Sequence, residues 1–201
     1  MIAIVDYGVG NLFSLFSSLK ALGFFAENVS APERLRDASH IILPGVGAFG
    51  DAIKKLCDTG LKDSVLEEAA RGKPILGICL GMQLLLTKSY EFGEHNGLDL
   101  IPGNVCPISE VIPKGYKIPH IGWNELSYVE HPIFRDIKQG DCVYFVHSFH
   151  AKDCPCVIAT TDYGARLTAA VGKDNVIGCQ FHPEKSGSVG LKILKSFCNM
   201  R

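Results

Sequence analysis

Pro74-Ile75-Leu76-Gly77-Ile78-Cys79-Leu80-Gly81-Met82-Gln83-Leu84-Leu85-Leu86 is an apolar run, a cysteine set between two glycines, and a second apolar run. Read as strand, sharp turn and helix, it puts one thiol at the tip of a turn with glycine two residues to either side. Small neighbours let the backbone strain there and let a substrate come close, which makes this the thiol counterpart of a nucleophile elbow. A helix starting at Leu80 aims its N-terminus at the sulfur and favours thiolate over thiol. Taken alone, the pattern fits a buried structural cysteine equally well, because free cysteine packs readily between apolar segments.

The segments to either side extend the strand-and-helix reading. Met1–Val5 and His40–Leu43 are apolar without alternation, as Pro74–Cys79 is, which is how strands covered on both faces read. Leu12, Leu15, Phe16, Leu19 and Leu22 fall on one helical face, stopped by Gly23. Leu61, Val65, Leu66 and Ala69 form a second such stripe before Gly72 and Pro74. Strands alternating with helices in this way predict a parallel, doubly wound α/β sheet. From Leu98 to about Thr168 the chain changes character, to Pro, Gly and short β-like pieces such as Cys142–Val146 and Val157–Thr160. Ala169–Val171 and Val176–Phe181 read as a hairpin whose turn is Gly172-Lys173-Asp174-Asn175. Ser188–Cys198 reads as a closing helix, apolar at Leu191, Leu194, Phe197 and Cys198. A single domain spanning 1–201 is expected.

Composition narrows the function. Twenty Lys+Arg against 21 Asp+Glu, net charge −1, leave no basic stripe for nucleic acid. No apolar run approaches the roughly 20 residues of a membrane span, and Met1–Asp6 reads as a first strand rather than a leader. The eight cysteines are too sparse for a disulfide scaffold. Cys154-Pro155-Cys156 lacks a second pair at zinc spacing, so no metal site is expected. Reduced thiols in the cytoplasm are the default expectation.

A nucleophilic cysteine needs a base, and the base needs an orienting group. Phe181-His182-Pro183-Glu184 follows the hairpin strand. In an extended segment, residues two apart leave on the same face, which would set the Glu184 carboxylate beside the His182 imidazole. Six other histidines, His40, His95, His120, His131, His147 and His150, carry no such neighbour. Acyl transfer also needs oxyanion donors: the Leu80 N–H, and a second from Pro44-Gly45-Val46-Gly47, where glycines allow the backbone to turn. Gly45-x-Gly47-x-x-Gly50 also matches a dinucleotide fingerprint literally. It follows the wrong strand, however, and lacks an acidic strand end about 20 residues on.

Gly77 to Gln83, joined to His182-Pro183-Glu184, resembles the signature of the class I glutamine amidotransferases. Asp6 to Leu12, Pro44 to Phe49, His120 to Asn124, Tyr144 to Ser148 and His182 to Ser186, in that order, are similar to one branch. In it a glutaminase serves a (βα)8-barrel cyclase of histidine biosynthesis. The resemblance implies a three-layer αβα, flavodoxin-like, mostly parallel sheet with an antiparallel extension. It implies that Cys79 attacks the glutamine side-chain amide, His182 moves protons and Glu184 orients His182, with Val46, Gly47 and Leu80 around the oxyanion. Gln83, Glu91, Ser148 and Phe149 would hold the amino-acid end of glutamine, with no cofactor. Asn11, Trp123, Asn124, Tyr144 and Lys185 would dock the cyclase as an obligate heterodimer partner. The cyclase uses the ammonia to form imidazole glycerol phosphate and an aminoimidazole carboxamide ribotide. Two other readings stay open on sequence: an amidotransferase serving surface-sugar modification, and a non-enzymatic redox or binding domain.

Overall fold

The computed structural model describes residues 1–8, 12–128 and 131–200. Chain order begins β1 (Ile2–Val5), α1 (Leu12–Ala21), β2 (Ala26–Val29), β3 (His40–Leu43), α2 (Phe49–Asp58), α3 (Leu61–Ala70), β4 (Ile75–Ile78) and α4 (Leu80–Leu84). Then follow β5 (Leu86–Ser89), β6 (His95–Asn96), β7 (Ile101–Pro107), β8 (His120–Glu125), β9 (Ser127–Tyr128), β10 (Cys142–His147) and β11 (Phe149–Lys152). The chain closes with β12 (Val157–Asp162), β13 (Arg166–Lys173), β14 (Val176–Cys179) and α5 (Gly187–Cys198). Among the described residues no helix is long and apolar enough to cross a membrane.

The main sheet has the order β2-β1-β3-β4-β14-β13-β12-β9. The pairs from β2 to β14 are parallel, and those from β14 to β9 antiparallel. This is the flavodoxin-like sheet with its antiparallel extension. Strand β1 shows why its sequence does not alternate: Ala3 and Val5 enter one core, Ile2 and Ile4 the other. The first core packs under α2 and α3 through Leu56, Leu61 and Val65, the second under α1 and α5 through Leu15, Leu19, Leu194 and Phe197. In such sheets ligands gather beyond the carboxyl ends of the strands. Here the ends of β3, β4 and β14 lie side by side.

Three expectations change. The turn of the hairpin is shorter than Gly172–Asn175, because Gly172 and Lys173 pair with Ile177 and Val176. Asp174 takes the positive φ of 52°, and the Asn175 side chain ties the turn to the Ala69 and Lys73 carbonyls. The apolar run Met82–Leu86 is not one helix: Leu86 leaves it to start β5, pairing with Ile101 of β7. All five side chains are buried, so apolar periodicity carries no signal of where helix gives way to strand. Strand β2, with Glu27 and Asn28 at its centre, is half polar because it is the sheet edge, and no apolar run announces it.

Two smaller sheets complete the molecule, β11-β7-β5-β6 and the ribbon β10-β8. In the ribbon Tyr144 pairs with Trp123 and His147 with His120.

Candidate active site

The elbow is built by close backbone approach. Cys79 has φ 55° and ψ −110°, in the half of the map that residues with a Cβ seldom enter, at a cost of roughly 1–3 kcal/mol. Its N–H donates to the Cys179 carbonyl at 2.7 Å, and its own carbonyl accepts from the Gln83 N–H at 3.2 Å. A Cβ on Gly77 would lie 2.6 Å from the Gly81 oxygen, and one on Gly81 would overlap the Leu43 carbonyl. Both glycines are therefore dictated by packing around the turn. Helix α4 has only five residues, so the dipole behind the sulfur is one turn of backbone rather than the longer helix expected.

His182 is extended at φ −98° and ψ 97°, but Pro183–Lys185 then closes into a 3-10 turn. The two side chains meet through this turn and not through strand alternation. Proline fits the first position of such a turn, since its fixed φ is already helical. His182 Nδ1 lies 2.7 Å from Glu184 Oε1, both side chains being almost wholly buried. The opposite ring nitrogen, Nε2, is buried without a well-formed hydrogen bond. Its neighbour is the Cys79 thiol. Loose contacts of this kind tighten when substrate enters. Burial pulls the imidazole pKa down, but Cys79 and Glu184 outweigh it and raise it to about 9. Stability from the charged ring is therefore full below its ordinary 6.5 and is lost as pH climbs through about 9. In Glu184→Gln the amide oxygen still accepts from Nδ1 but the charge is gone. The His182 midpoint, followed by NMR, should fall by a unit or more; an unmoved midpoint would mean that Glu184 supplies geometry only.

Cys79 and His182 open on a pocket of about 350 Å³ shared with Val46, Gly47, Gln83 and Glu91. Leu80, Ser148 and Phe149 line it too. Val46 is exposed on the loop after β3, and Gly47 has φ 102°, a glycine-favoured value. Gln83 is not the solvated helix residue that its position allows. It is 6% exposed, and its Nε2 donates to Gln180 Oε1 at 3.0 Å and to the Phe149 carbonyl at 3.3 Å. Glu91 accepts the Phe49 N–H at 2.7 Å, capping the start of α2. Burial pushes its carboxyl pKa up, against that hydrogen bond. This also explains the stray glycine fingerprint: the helix N-terminus where a phosphate would sit holds the chain's own carboxylate.

The five candidate docking residues are not all brought together. Trp123 is 54% exposed, so it is not a core residue, and its ring meets Tyr144 edge-on at 6.0 Å. Lys185 is exposed at the end of the turn that follows His182. Asn124 leaves the opposite face of β8 and donates to the Asp162 carbonyl at 2.8 Å. Asn11 lies outside the described residues. Tyr144 also ties the ribbon to the base: its N–H donates to Ser186 Oγ, and its carbonyl accepts from the His182 N–H, both at 2.9 Å.

One residue beside the thiol went unread in the sequence. Gln180 is fully buried and its Nε2 approaches Cys79 Sγ at 3.8 Å, while the thiol reaches the Val146 carbonyl at 3.8 Å. The signal was a lone amide inside the apolar run Val176–Phe181, where burial demands a partner.

Residues 3–200 match the family model "Glutamine amidotransferase class-I". The chain is 48% identical to the imidazole glycerol phosphate synthase subunit HisH of Wolinella succinogenes, covering 100% of both chains. It is 49% identical to that of Caldanaerobacter subterraneus, covering 100% of this chain and 98% of the relative. A crystal structure of a glutamine amidotransferase superposes with TM-score 0.77 at 20% identity, over 98% of this chain and 96% of the other. PurLQS from Thermotoga maritima gives 0.76 at 22%, over 98% and 97%. Family match, full-length relatives and shared fold agree: the chain belongs to the class I glutamine amidotransferase family.

Proposed function

We propose that this chain is the glutaminase subunit of an imidazole glycerol phosphate synthase and that Cys79, His182 and Glu184 perform the hydrolysis. One observation carries the assignment of residues. Two separate segments converge on a single pocket, one bringing the thiol on a strained turn and the other an imidazole held by the buried Glu184 carboxylate.

In this reading the Cys79 sulfur attacks the side-chain carbonyl carbon of glutamine. Charge moves to the carbonyl oxygen, facing the Leu80 N–H and the backbone of Val46 and Gly47. The C–N bond then breaks as His182 gives its proton to the departing amine, leaving ammonia and a glutamyl thioester. Water attacks the thioester, His182 takes the water's proton, and glutamate departs as the thiol is restored. Glu184 keeps the ring oriented and its charged form stable throughout. Gln83, Glu91, Ser148 and Phe149 surround the amino-acid end of the substrate.

Ammonia that escapes into water is held as ammonium and cannot attack, so hydrolysis is useful only beside an acceptor enzyme. A (βα)8-barrel cyclase is that partner, seated on the face with Trp123, Tyr144 and Lys185. The full-length identity of about 48% to HisH subunits favours this acceptor over a sugar-modifying one. The test is co-purification with the cyclase of the same organism and a glutamine-dependent product assay. We expect product with glutamine and at least a hundredfold more glutaminase in the complex than in the isolated chain, the loss of one oxyanion donor being worth about 10²–10³. Equal rates with and without the cyclase would mean that the Val46 and Gly47 backbone already faces the oxyanion in the isolated chain, and would overturn the expected activation. Absence of a complex would sink the choice of partner.

A further inference from the structure

The mechanism leaves two buried histidines unused: His147 in the lining of the pocket, and His120 against it on the side away from Phe149. His147 Nδ1 lies 2.8 Å from the Phe149 carbonyl. A carbonyl only accepts, so that nitrogen carries the ring's proton and Nε2 is bare. His120 Nδ1 lies 2.9 Å from that bare Nε2 and must donate to it. The remaining nitrogen, His120 Nε2, is buried with no partner, as fits a lone pair rather than an N–H. His120 is stacked between Tyr163, at 4.0 Å, and Phe145, at 4.9 Å, which fixes its ring plane. Burial lowers the pKa of His120 to about 4 and that of His147 to about 3, so both are neutral at ordinary pH.

The carbonyl that His147 holds is the one that also accepts Gln83 Nε2. The amide of Gln83 in turn meets Gln180 Oε1, and Gln180 Nε2 meets the Cys79 sulfur. The Phe149 carbonyl can only accept, so it fixes the direction on both sides: His147 and Gln83 each donate to it, and His120 donates to His147. We propose that His120 and His147 are positioning residues that fix the Phe149 carbonyl and thereby the Gln83 amide in the wall of the substrate pocket. The proposal rests on the reading that this pocket takes glutamine.

Two substitutions separate positioning from mere packing. Asparagine at 147 places an amide nitrogen where Nδ1 was and can still donate to the Phe149 carbonyl. Glutamine at 147 reaches the Nε2 position instead and leaves that carbonyl short of a donor. In the complex with the cyclase, His147→Gln should raise KM for glutamine about five- to tenfold with kcat within about threefold, the effect of losing one hydrogen bond. His147→Asn should recover most of the loss. Nitrogen-15 spectra of histidine-labelled protein supply a readout free of substrate: both rings should carry the proton on Nδ1. An Nε2-protonated His147, or equal defects in the two variants, overturns the proposal. If the unmodified complex fails to hydrolyse glutamine, the functional reading falls, while the tautomers still decide how the rings are arranged.

Discussion

Replacing Cys79 with glycine should abolish glutamine hydrolysis and at the same time raise the melting temperature. The first half follows from removing the nucleophile, which costs a factor on the order of 10⁴ or more in enzymes that use one. The second follows from the backbone. At φ 55° and ψ −110° the Cys79 Cβ is crowded, whereas glycine occupies this region without that penalty. Relief of about 1–3 kcal/mol of strain is set against about 0.5–1 kcal/mol of extra chain entropy. A net gain of about 1 kcal/mol corresponds to roughly 2–4 °C in a protein of this size. Cys79→Ala is the control, since it removes the thiol but keeps the Cβ: it should be as inactive as the glycine variant and no more stable than the parent. Differential scanning calorimetry of the three proteins checks this. A glycine variant that melts no higher than the alanine one would show that the turn holds no strain.

Gly81→Ala should be the most damaging single-methyl substitution at the elbow. The added carbon would overlap the Leu43 carbonyl, and that carbonyl belongs to a strand paired on both sides, with β1 and β4. Neither partner can retreat without breaking a ladder, so the loss should be about 4 kcal/mol or more, in the range kept for forced backbone clashes. Gly47→Ala is the contrast: no atom lies within 4 Å of its Cβ position, and only the φ of 102° resists. About 1–2 kcal/mol is expected there. Thermal unfolding followed by circular dichroism distinguishes the two. If Gly81→Ala costs no more than Gly47→Ala, close packing is not the reason for glycine at 81.

The parallel half of the sheet was legible because buried strands are continuous apolar runs. Strand β2 was not, since an edge strand does not need one. The end of α4 was hidden for the opposite reason: where every side chain from Met82 to Leu86 is buried, helix and strand leave the same apolar mark. At the site, Cys79 could be read from its two glycines and His182 from the adjacent proline and glutamate. The contact between His182 and Glu184 was anticipated on the wrong geometry, because Pro183 starts a turn where alternation was assumed. Gln180, His120 and His147 act through partners far along the chain, and pairing at that distance leaves no local spacing to detect.

The β8–β10 ribbon comes with its own reporters. Trp123 is the chain's only tryptophan and lies more than half exposed on that ribbon, so tryptophan emission, excited beyond the tyrosine band, reads this face. Cys142, exposed at the start of β10 and paired with Glu125 on β8, offers a thiol on the same strand as Tyr144. Besides Cys142, only Cys57 on α2 is an exposed cysteine among the described residues. A single Cys57→Ser exchange therefore leaves one exposed handle for a dye, and arrival of a partner on this face can be timed by emission from either probe.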